Sequence, residues 1–297
     1  MKNILVTGAN GQLGVALAQA VPAGYTVTPA TRASLDITSQ KSVFDHLGEG
    51  EYAGIINAAA YTAVDKAESE PAAAAAVNTE GAGNLAIAAR EHGIPLVHVS
   101  TDFVFDGNKG SPYLPLDERN PQSVYGKTKA DGEDAVLAVE GLQASIIRTA
   151  WVYSAGDGNF VSTMLRLMSE RDSIGVVADQ IGSPTSVAGL AGACWHFIAS
   201  DQPGIYHWTD AGVASWYDFA VAIQDEAINL GMLERRIPIA PLATSQYPTP
   251  AVRPGNSVLD KAGCWDAMNW TPEHWRVALK LALNDRLSST KSLQTDT

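Results

Sequence analysis

The sequence has little cysteine: its 297 residues include only Cys194 and Cys264. Neither belongs to a CxxC pair or lies beside clustered histidines, so the sequence predicts neither a metal site nor a dithiol redox site. We interpret both residues as small buried hydrophobic side chains in a reducing compartment.

The chain also lacks long apolar runs and basic clusters. No stretch approaches the roughly 20 apolar residues that span a bilayer, and the apolar run near the N-terminus is too short for a signal peptide. The sequence has 20 basic and 32 acidic residues. The basic residues do not form a cluster of the kind typical of nucleic-acid binding. These absences predict a cytoplasmic protein without membrane or nucleic-acid partners. A phosphorylated small ligand is not excluded, because a few Arg and Lys residues can dominate a local site.

Strand-like and helical segments alternate in the first half of the sequence. Short runs rich in Val and Ile predict strands over residues 3–7, 25–30, 54–57, 96–100 and 144–148. Helices are predicted between them over residues 12–21, 40–47, 72–92 and 125–139. This alternation predicts an α/β fold of the Rossmann type, a doubly wound parallel sheet that binds ligands at the carboxyl ends of its strands.

The rhythm changes after about residue 149. Helices are predicted over residues 160–170, 187–199, 216–231 and 273–287, strands over residues 174–177 and 204–208, and a proline-rich loop over residues 247–256. We therefore predict a dinucleotide-binding domain over residues 1–150 and a smaller, interleaved C-terminal lobe over residues 151–287 that binds substrate. Residues 288–297 read as a polar, mobile tail.

A glycine-rich turn follows the first predicted strand. In TGANGQLG, Gly8 permits a sharp turn, Gly11 allows the backbone to approach a pyrophosphate, and Gly14 allows close helix–strand packing. The alternative is an ordinary strand-to-helix turn. The position of the glycine-rich turn directly after the first strand favours dinucleotide binding.

The second predicted strand is not followed by the acidic residue that binds the ribose 2′-hydroxyl of NAD. The first nearby charge is instead Arg32. A planar guanidinium suits the 2′-phosphate of NADP, so the sequence favours NADPH and leaves NADH open as a second cofactor. The alternative is a solvated surface arginine.

Three residues form a candidate catalytic group. Thr101 comes just after the fourth predicted strand, and Tyr125 and Lys129 are four residues apart, which places them on one face of a helix. A nearby ammonium would favour the phenolate and bring the tyrosine closer to working pH. A YxxxK pattern alone is common by chance, but with the glycine turn and the strand-end hydroxyl it indicates a reductase.

The order of motifs resembles the dTDP-4-dehydrorhamnose reductase family, within the extended short-chain dehydrogenase/reductase superfamily, over roughly residues 3 to 287. The motifs that carry the resemblance are TGANGQLG, NAAAYTAVDKAE, STDFVFDG, YGKTK, RTAWVY, DQIGSPT and TPAVRPGNS.

The resemblance implies roles for individual residues. Tyr125 would exchange the proton, Lys129 would support it and hold the cofactor, and Thr101 would assist the carbonyl. Other cofactor contacts implied are Gly11, Gln12 and Leu13 at the pyrophosphate, Asp36 and Ile37 near the adenine, Ala60, Tyr61 and Thr62 along the cofactor, and Val99 under the nicotinamide. Thr101, Asp102 and Trp151 would contact the sugar.

The chain departs from the family pattern at two positions. Phe103 stands where some relatives carry a tyrosine, which puts any hydroxyl-dependent contact there in doubt. Val15 occupies the place of a glutamate that some relatives associate with a metal at a subunit contact, so we predict no metal.

The implied reaction is the NADPH-dependent reduction of the C4 ketone of dTDP-4-dehydro-L-rhamnose. Two negative phosphates of such a substrate need local positive charge, for which Arg253 in its proline-framed loop is the candidate, with Gln180 nearby. The alternatives are a reductase of another nucleotide-linked 4-ketosugar and a non-catalytic regulatory relative of the same fold. A homodimer is compatible with each.

Overall fold

The fold is built on a six-stranded parallel sheet in a computed structural model that describes residues 1–200 and 202–295. The strands of the chain are β1 (Lys2–Thr7), β2 (Tyr25–Ala30), β3 (Gly54–Asn57), β4 (Leu96–Thr101), β5 (Ala144–Thr149), β6 (Val152–Tyr153), β7 (Ile174–Val177), β8 (Ile181–Gly182), β9 (Thr185–Ser186), β10 (Gly204–His207), β11 (Ala214–Ser215) and β12 (Ile239–Leu242). The central sheet has the order β10-β5-β4-β3-β1-β2, and every neighbouring pair is parallel.

The predicted Rossmann-type fold is confirmed. Each of the five strands predicted in the first half agrees with the structure to within one residue at either end. Their apolar character is continuous because helices cover both faces of the sheet, so that β3 and β5 are buried at every position. The order of strands reverses between β1 and β3, and the carboxyl ends of these strands meet at the resulting crevice.

Eleven α-helices occur in the described part of the chain. They are α1 (Gln12–Gln19), α2 (Gln40–Gly48), α3 (Val64–Ala67), α4 (Pro71–Ala75), α5 (Gly81–Glu91), α6 (Val124–Leu137), α7 (Phe160–Glu170), α8 (Val187–Ala199), α9 (Trp216–Asn229), α10 (Ala262–Met268) and α11 (Trp275–Thr295). None of these helices is long and apolar enough to cross a membrane.

The single helix predicted over residues 72–92 is interrupted. A π-helical turn, Ala76–Glu80, separates α4 from α5. This turn contains Asn78, whose buried carboxamide accepts from the backbone N–H of Tyr61 and donates to the hydroxyl of Thr128 on α6. Helix α6 comes close enough that a Cβ on Gly132 would lie 2.1 Å from the Asn78 carbonyl oxygen. The sequence did not indicate this turn, because it depends on packing between helices rather than on local propensity.

The second half of the chain has its own apolar core but also contributes to the sheet. Strand β10 extends the central sheet beside β5, and α8 packs against α1 beneath it. A separate core cluster joins side chains of α7, α9 and α11. The predicted boundary near residue 150 stays a prediction, as does the assignment of the second part to substrate binding.

The C-terminal tail differs from the prediction. Helix α11 extends to Thr295, so residues 288–295, predicted as a mobile tail, continue a helix predicted to end at residue 287. Residues 296 and 297 of the predicted tail lie outside the described residues. The extension has no proline or glycine to end it, since residues 288–295 contain neither.

Candidate functional site

A cavity of about 820 Å³ opens at the carboxyl ends of the central strands. It extends from the glycine turn after β1 to the start of α6 and to the segment after β5. The cavity brings together most of the residues that the sequence singled out: Gly8, Gly11, Gln12, Leu13, Arg32, Asp36, Ile37, Ala60, Tyr61, Thr62, Val99, Thr101, Asp102, Tyr125, Lys129, Trp151 and Arg253.

The glycine turn forms one end of the cavity. Gly8 has a positive φ of 67°, and a Cβ there would lie 2.7 Å from the backbone of Ala58. Gly11 is the N-cap of α1 and faces the cavity, so the unpaired N–H groups of the first helical turn are open to an anion. The side chain of Gln12 is fixed from the other side, because its Oε1 accepts from Ser154 and Asn159.

Arg32 and Asp36 lie at the same end of the cavity, after β2. Arg32 is exposed, and no ion pair to it occurs within residues 1–200 and 202–295. Asp36 accepts hydrogen bonds from the hydroxyl and the backbone N–H of Thr38, and these bonds lower the pKa of its carboxyl. The site therefore presents one exposed guanidinium just after the end of β2.

Tyr125 lies in the first turn of α6, at the other end of the cavity. Ser123 caps this helix by accepting from the N–H of Gly126. Gly126 permits the helix to approach the turn that follows β4, since a Cβ there would lie 2.2 Å from the carbonyl oxygen of Phe103. Burial raises the pKa of Tyr125 to about 12, and a hydrogen bond with Thr101 opposes that rise. The phenol is therefore protonated at neutral pH.

Lys129 lies one helical turn further along α6 and is buried. Its Nζ donates to the carbonyl oxygen of Val99 at 2.6 Å and lies 3.4 Å from Nε2 of His98. Burial lowers the pKa of Lys129 to about 8, and the carboxylate of Glu133 opposes this change. Burial and the adjacent Lys129 hold the pKa of His98 well below its usual range, so this imidazole is neutral.

The relation between Tyr125 and Lys129 differs from the expectation. The sequence suggested that the ammonium would bring the phenol closer to working pH. In the structure burial is the main influence on the pKa of Tyr125 and raises it. The ammonium is directed instead to the backbone of β4.

Asp102 lies beside Thr101 and is buried. Its Oδ1 accepts from the Thr101 hydroxyl at 2.9 Å. Burial raises the pKa of Asp102 to about 6, although its hydrogen bonds oppose the rise. The neighbouring Phe103 packs edge-on against the ring of Tyr125, with 5.5 Å between centroids, and supplies no hydroxyl to the cavity.

A buried ion pair supports this end of the cavity from behind. The carboxylate of Glu133, on α6, accepts two hydrogen bonds from Arg148 on β5, at 2.8 and 2.6 Å. It also accepts from the hydroxyl of Ser100 on β4 and from Arg119. Glu133 and Arg148 are both almost completely buried. The pair therefore fixes α6, with Tyr125, relative to the sheet.

Two tryptophans form the wall opposite the glycine turn. The rings of Trp151 and Trp216 are stacked 3.6 Å apart and within 8° of parallel. Trp151 has a positive φ of 49°, a backbone conformation that costs a non-glycine residue of order 1–3 kcal/mol. Both rings line the cavity.

Arg253 reaches the cavity from the loop that precedes α10. Its guanidinium forms a two-point ion pair with Asp65 on α3, with N–O distances of 3.0 and 2.8 Å. It also donates to the hydroxyl of Thr249. Asp65 also accepts from the N–H of Ala251. Three contacts of this one carboxylate therefore attach the loop to α3.

Comparison with known proteins places this geometry in a family. The family model described as the RmlD substrate binding domain matches residues 1–288. A dTDP-4-dehydrorhamnose reductase from Aggregatibacter actinomycetemcomitans is 43% identical over 288 residues, covering 94% of this chain and 98% of the relative. The crystal structure of dTDP-4-dehydrorhamnose reductase from Bacillus anthracis in complex with NADP superposes with a TM-score of 0.89 at 35% identity, covering 96% of this chain and all of that one. The crystal structure of the Clostridium acetobutylicum enzyme of that name has a TM-score of 0.88 at 40% identity, covering 95% of this chain and 98% of that one.

The chain belongs to the RmlD substrate binding domain family. The resemblance inferred from its motifs is thereby confirmed. In this family member no group of three or more His, Cys, Asp or Glu side chains that could hold a metal ion occurs among the described residues.

Two of the predicted site residues do not line the cavity. Gly14 is buried in the turn, and its Cβ would lie 2.4 Å from the carbonyl oxygen of Gly8, which agrees with the packing role expected for this glycine. Gln180 is also buried, and its Nε2 donates to the hydroxyl of Thr244, so its contacts lie outside the cavity.

Other residues of the site were missed. Trp216 lines the cavity, although no motif of the sequence singled it out. The capping box of Ser215 and Asp218, which starts α9 directly at Trp216, could have indicated that the ring is held at a helix end. Asn78, Asp65 and Glu133 gave no separate signal, because their partners are distant in the sequence.

We expect Glu133→Ala to lower the free energy of unfolding by about 3–5 kcal/mol, because it leaves the buried Arg148 without its partner. Denaturant unfolding would measure this change. Glu170→Ala is the matched control, since Glu170 forms an exposed pair with Arg166 and its loss should change stability by less than about 0.5 kcal/mol. Equal effects of the two substitutions would contradict the structural role of the buried pair.

Proposed function

We propose that this protein reduces the C4 ketone of dTDP-4-dehydro-L-rhamnose to give dTDP-L-rhamnose, with NADPH as the hydride donor. The observation that carries the proposal is the meeting of Thr101, Tyr125 and Lys129 in a cavity that continues to the glycine turn. The names of its relatives support the substrate, and the NADP in the Bacillus anthracis structure supports the cofactor.

The residues of the cavity fit a dinucleotide. The open N–H groups at the start of α1 suit a pyrophosphate, and Gly11 leaves room for it. Asp36 and Ile37 would lie at the adenine, Ala60, Tyr61 and Thr62 along the middle, and Val99 at the nicotinamide. Arg32 would meet the 2′-phosphate of NADPH. When bound, the dihydronicotinamide supplies the hydride.

Tyr125 provides the proton. Its raised pKa keeps the phenolic hydrogen in place at neutral pH, as a proton donor for ketone reduction requires. The Thr101 hydroxyl, which lies between Asp102 and Tyr125, donates its single hydrogen to Asp102 in the structure. It would turn this hydrogen to the ketone oxygen when the substrate binds, so that the oxygen accepts from both Thr101 and Tyr125. As the alkoxide forms, the phenolic proton passes to the carbonyl oxygen and the phenolate takes the negative charge.

Lys129 would balance that charge. The ammonium is already next to the nicotinamide end of the cavity through its bond to Val99. A positive charge near a developing phenolate stabilises the transition state more than the ground state. Lys129 thus supports Tyr125 during the reaction.

The substrate would occupy the space between Asp102, Trp151 and Arg253. Asp102 and Trp151 would contact the sugar, and Arg253 would contact the diphosphate, since its planar guanidinium suits phosphate oxygens. Gln180 would act only indirectly, through the segment that carries it. The same proposal places the reaction in the cytoplasm, where NADPH is available, and a homodimer is compatible with it.

The identity of the ketosugar has one alternative. Phe103 adds a ring but no hydroxyl beside Tyr125, where some relatives carry a tyrosine. This difference favours testing other nucleotide-linked 4-ketosugars as substrates, with product analysis by NMR to establish the configuration at C4. If the protein is instead a non-catalytic regulatory relative, none of these ketosugars will be reduced.

Tyr125→Phe should lower kcat at least roughly a hundredfold, because the ring stays but the proton donor is lost. Stopped or continuous assays of NADPH oxidation with dTDP-4-dehydrorhamnose would measure it, and NADPH binding should be retained. Tyr52→Phe is the control, since the Tyr52 hydroxyl bonds to His46 outside the cavity. A Tyr125→Phe enzyme with near-native turnover would rule out this mechanism.

Arg32→Ala should reduce the preference for NADPH over NADH. Loss of one charge-assisted contact costs about 1.5–3 kcal/mol at most, and exposure of Arg32 to solvent places the effect at the lower end. The ratio of kcat/KM for the two cofactors is the measurement. Arg171→Ala, at an exposed arginine outside the cavity, should leave the ratio unchanged. An unchanged ratio in Arg32→Ala would remove Arg32 from the cofactor site.

Arg253→Ala should raise the KM for the nucleotide sugar strongly and leave NADPH affinity nearly unaltered. The control is Arg236→Ala, which removes an arginine from an exposed pair with Asp225. Steady-state kinetics with each substrate varied in turn would separate the two affinities. If KM for the sugar nucleotide does not change, the diphosphate lies elsewhere, and an equal loss of both affinities would indicate a folding defect.

A further inference from the structure

The indole of Trp151 is covered on both faces. Trp216 stacks on one face at 3.6 Å. On the ring of Trp151, a Cβ added to Gly182 would lie 2.6 Å from Cε2, 2.8 Å from Nε1 and 2.9 Å from Cζ2. Cε2 is a ring-fusion atom bonded to three ring atoms, so a nearby point in the ring plane would be closer to Nε1 or Cζ2 than to Cε2. Gly182 therefore lies over a face, and since Trp216 covers one face, Gly182 covers the other.

This arrangement leaves only the ring edge of Trp151 to face the cavity. A sugar or base that approaches either face of the indole near its Cε2–Nε1 bond meets Trp216 or Gly182. The edge of an aromatic ring carries partial positive charge, and in tryptophan it also carries the N–H donor. Such an edge suits the hydroxyl oxygens of a sugar rather than its C–H groups.

Trp216 is itself held firmly. It occupies the first position of α9, inside the capping box formed by Ser215 and Asp218. The ring of Phe160 packs against it from α7, with 4.6 Å between centroids. Trp151 by contrast is held in a left-handed backbone conformation, with φ of 49°, which its own chain does not favour. Trp216 is therefore held by contacts that do not depend on Trp151.

We propose that Trp216 is a positioning residue that, with Gly182, holds Trp151 edge-on toward the sugar of the substrate. This inference rests on the proposed function. In this proposal Trp216 does not contact the nicotinamide end of the site, at Val99 and Tyr125. Its removal should therefore affect the nucleotide sugar and spare NADPH.

The first test is kinetic. Trp216→Ala should raise the KM for dTDP-4-dehydrorhamnose about tenfold, the scale expected for the loss of one aromatic pair, with the KM for NADPH within about twofold of native. Trp216→Phe restores a stacking ring and should bring the sugar KM back to within about threefold of native. An unchanged KM in Trp216→Ala would overturn the proposal, and so would a Trp216→Phe enzyme as impaired as Trp216→Ala. A parallel rise in both KM values would show a general structural role instead and would equally overturn it.

Gly182→Ala tests the other face. The added methyl group would push the indole of Trp151 out of place and should raise the sugar KM as Trp216→Ala does. The matched control is Gly175→Ala on β7, whose Cβ would lie 2.8 Å from the flexible side chain of Leu242, outside the cavity. Native kinetics in Gly182→Ala would contradict the two-sided arrangement.

A measurement without substrate separates this proposal from the proposed function. The indole N–H of Trp151, identified by its loss in Trp151→Phe, should give one sharp ¹H–¹⁵N resonance in the native protein and in Trp216→Phe. In Trp216→Ala it should broaden or split, because the ring is no longer confined. A single unshifted line in Trp216→Ala would overturn the positioning role. Failure of the native protein to reduce the ketosugar, with the expected spectra, would overturn the function alone.

Discussion

The carboxylate of Glu133 is the point on which the active edge of this protein depends. Three elements that approach one another at the carboxyl ends of the strands each direct a donor to it: Ser100 from β4, Arg148 from β5, and Arg119 from the segment before α6. Burying a carboxylate is costly, and only this full set of partners makes it tolerable. The same carboxylate is the group that opposes the depression of the pKa of Lys129, one turn away on the same helix. Structural support and the electrostatics of the site are therefore parts of one network, and the helix that carries Tyr125 has little freedom to shift along the sheet.

A second set of contacts joins the two halves of the cavity. Gln12, at the glycine turn, accepts from Ser154 and Asn159, which belong to the second half of the chain. Asp65, in the motif after β3, holds the loop of Arg253. Because each set of contacts includes a candidate ligand-binding residue, Gln12 in the first and Arg253 in the second, the two ends of the cavity are mechanically connected even though separate core clusters support them.

The sequence predicted those features that depend on local pattern. Continuous apolar runs gave the positions of β1 to β5, and the spacing of Gly8 and Gly11, or of Tyr125 and Lys129, indicated residues that the fold brings to one cavity. The sequence did not predict features that depend on residues distant along the chain. The π-helical turn at Asn78 exists because α6 packs against it, the stacking of Trp216 requires Trp151 from another segment, and Gln180 is bound by Thr244 rather than directed to the cavity. The rise in the pKa of Tyr125 could not be predicted for the same reason, since burial is a property of the assembled fold.

The ion pair of Arg253 with Asp65 has a consequence for selectivity. A diphosphate that reaches Arg253 meets a guanidinium whose two forward N–H groups already hold a carboxylate. A diphosphate bound here would have to displace Asp65, a tethered anion that is always present, or share the N–H groups that Asp65 leaves free. Inorganic phosphate would make only this one contact. A nucleotide sugar would make additional contacts along the cavity, so Asp65 would disfavour anions that match the charge alone.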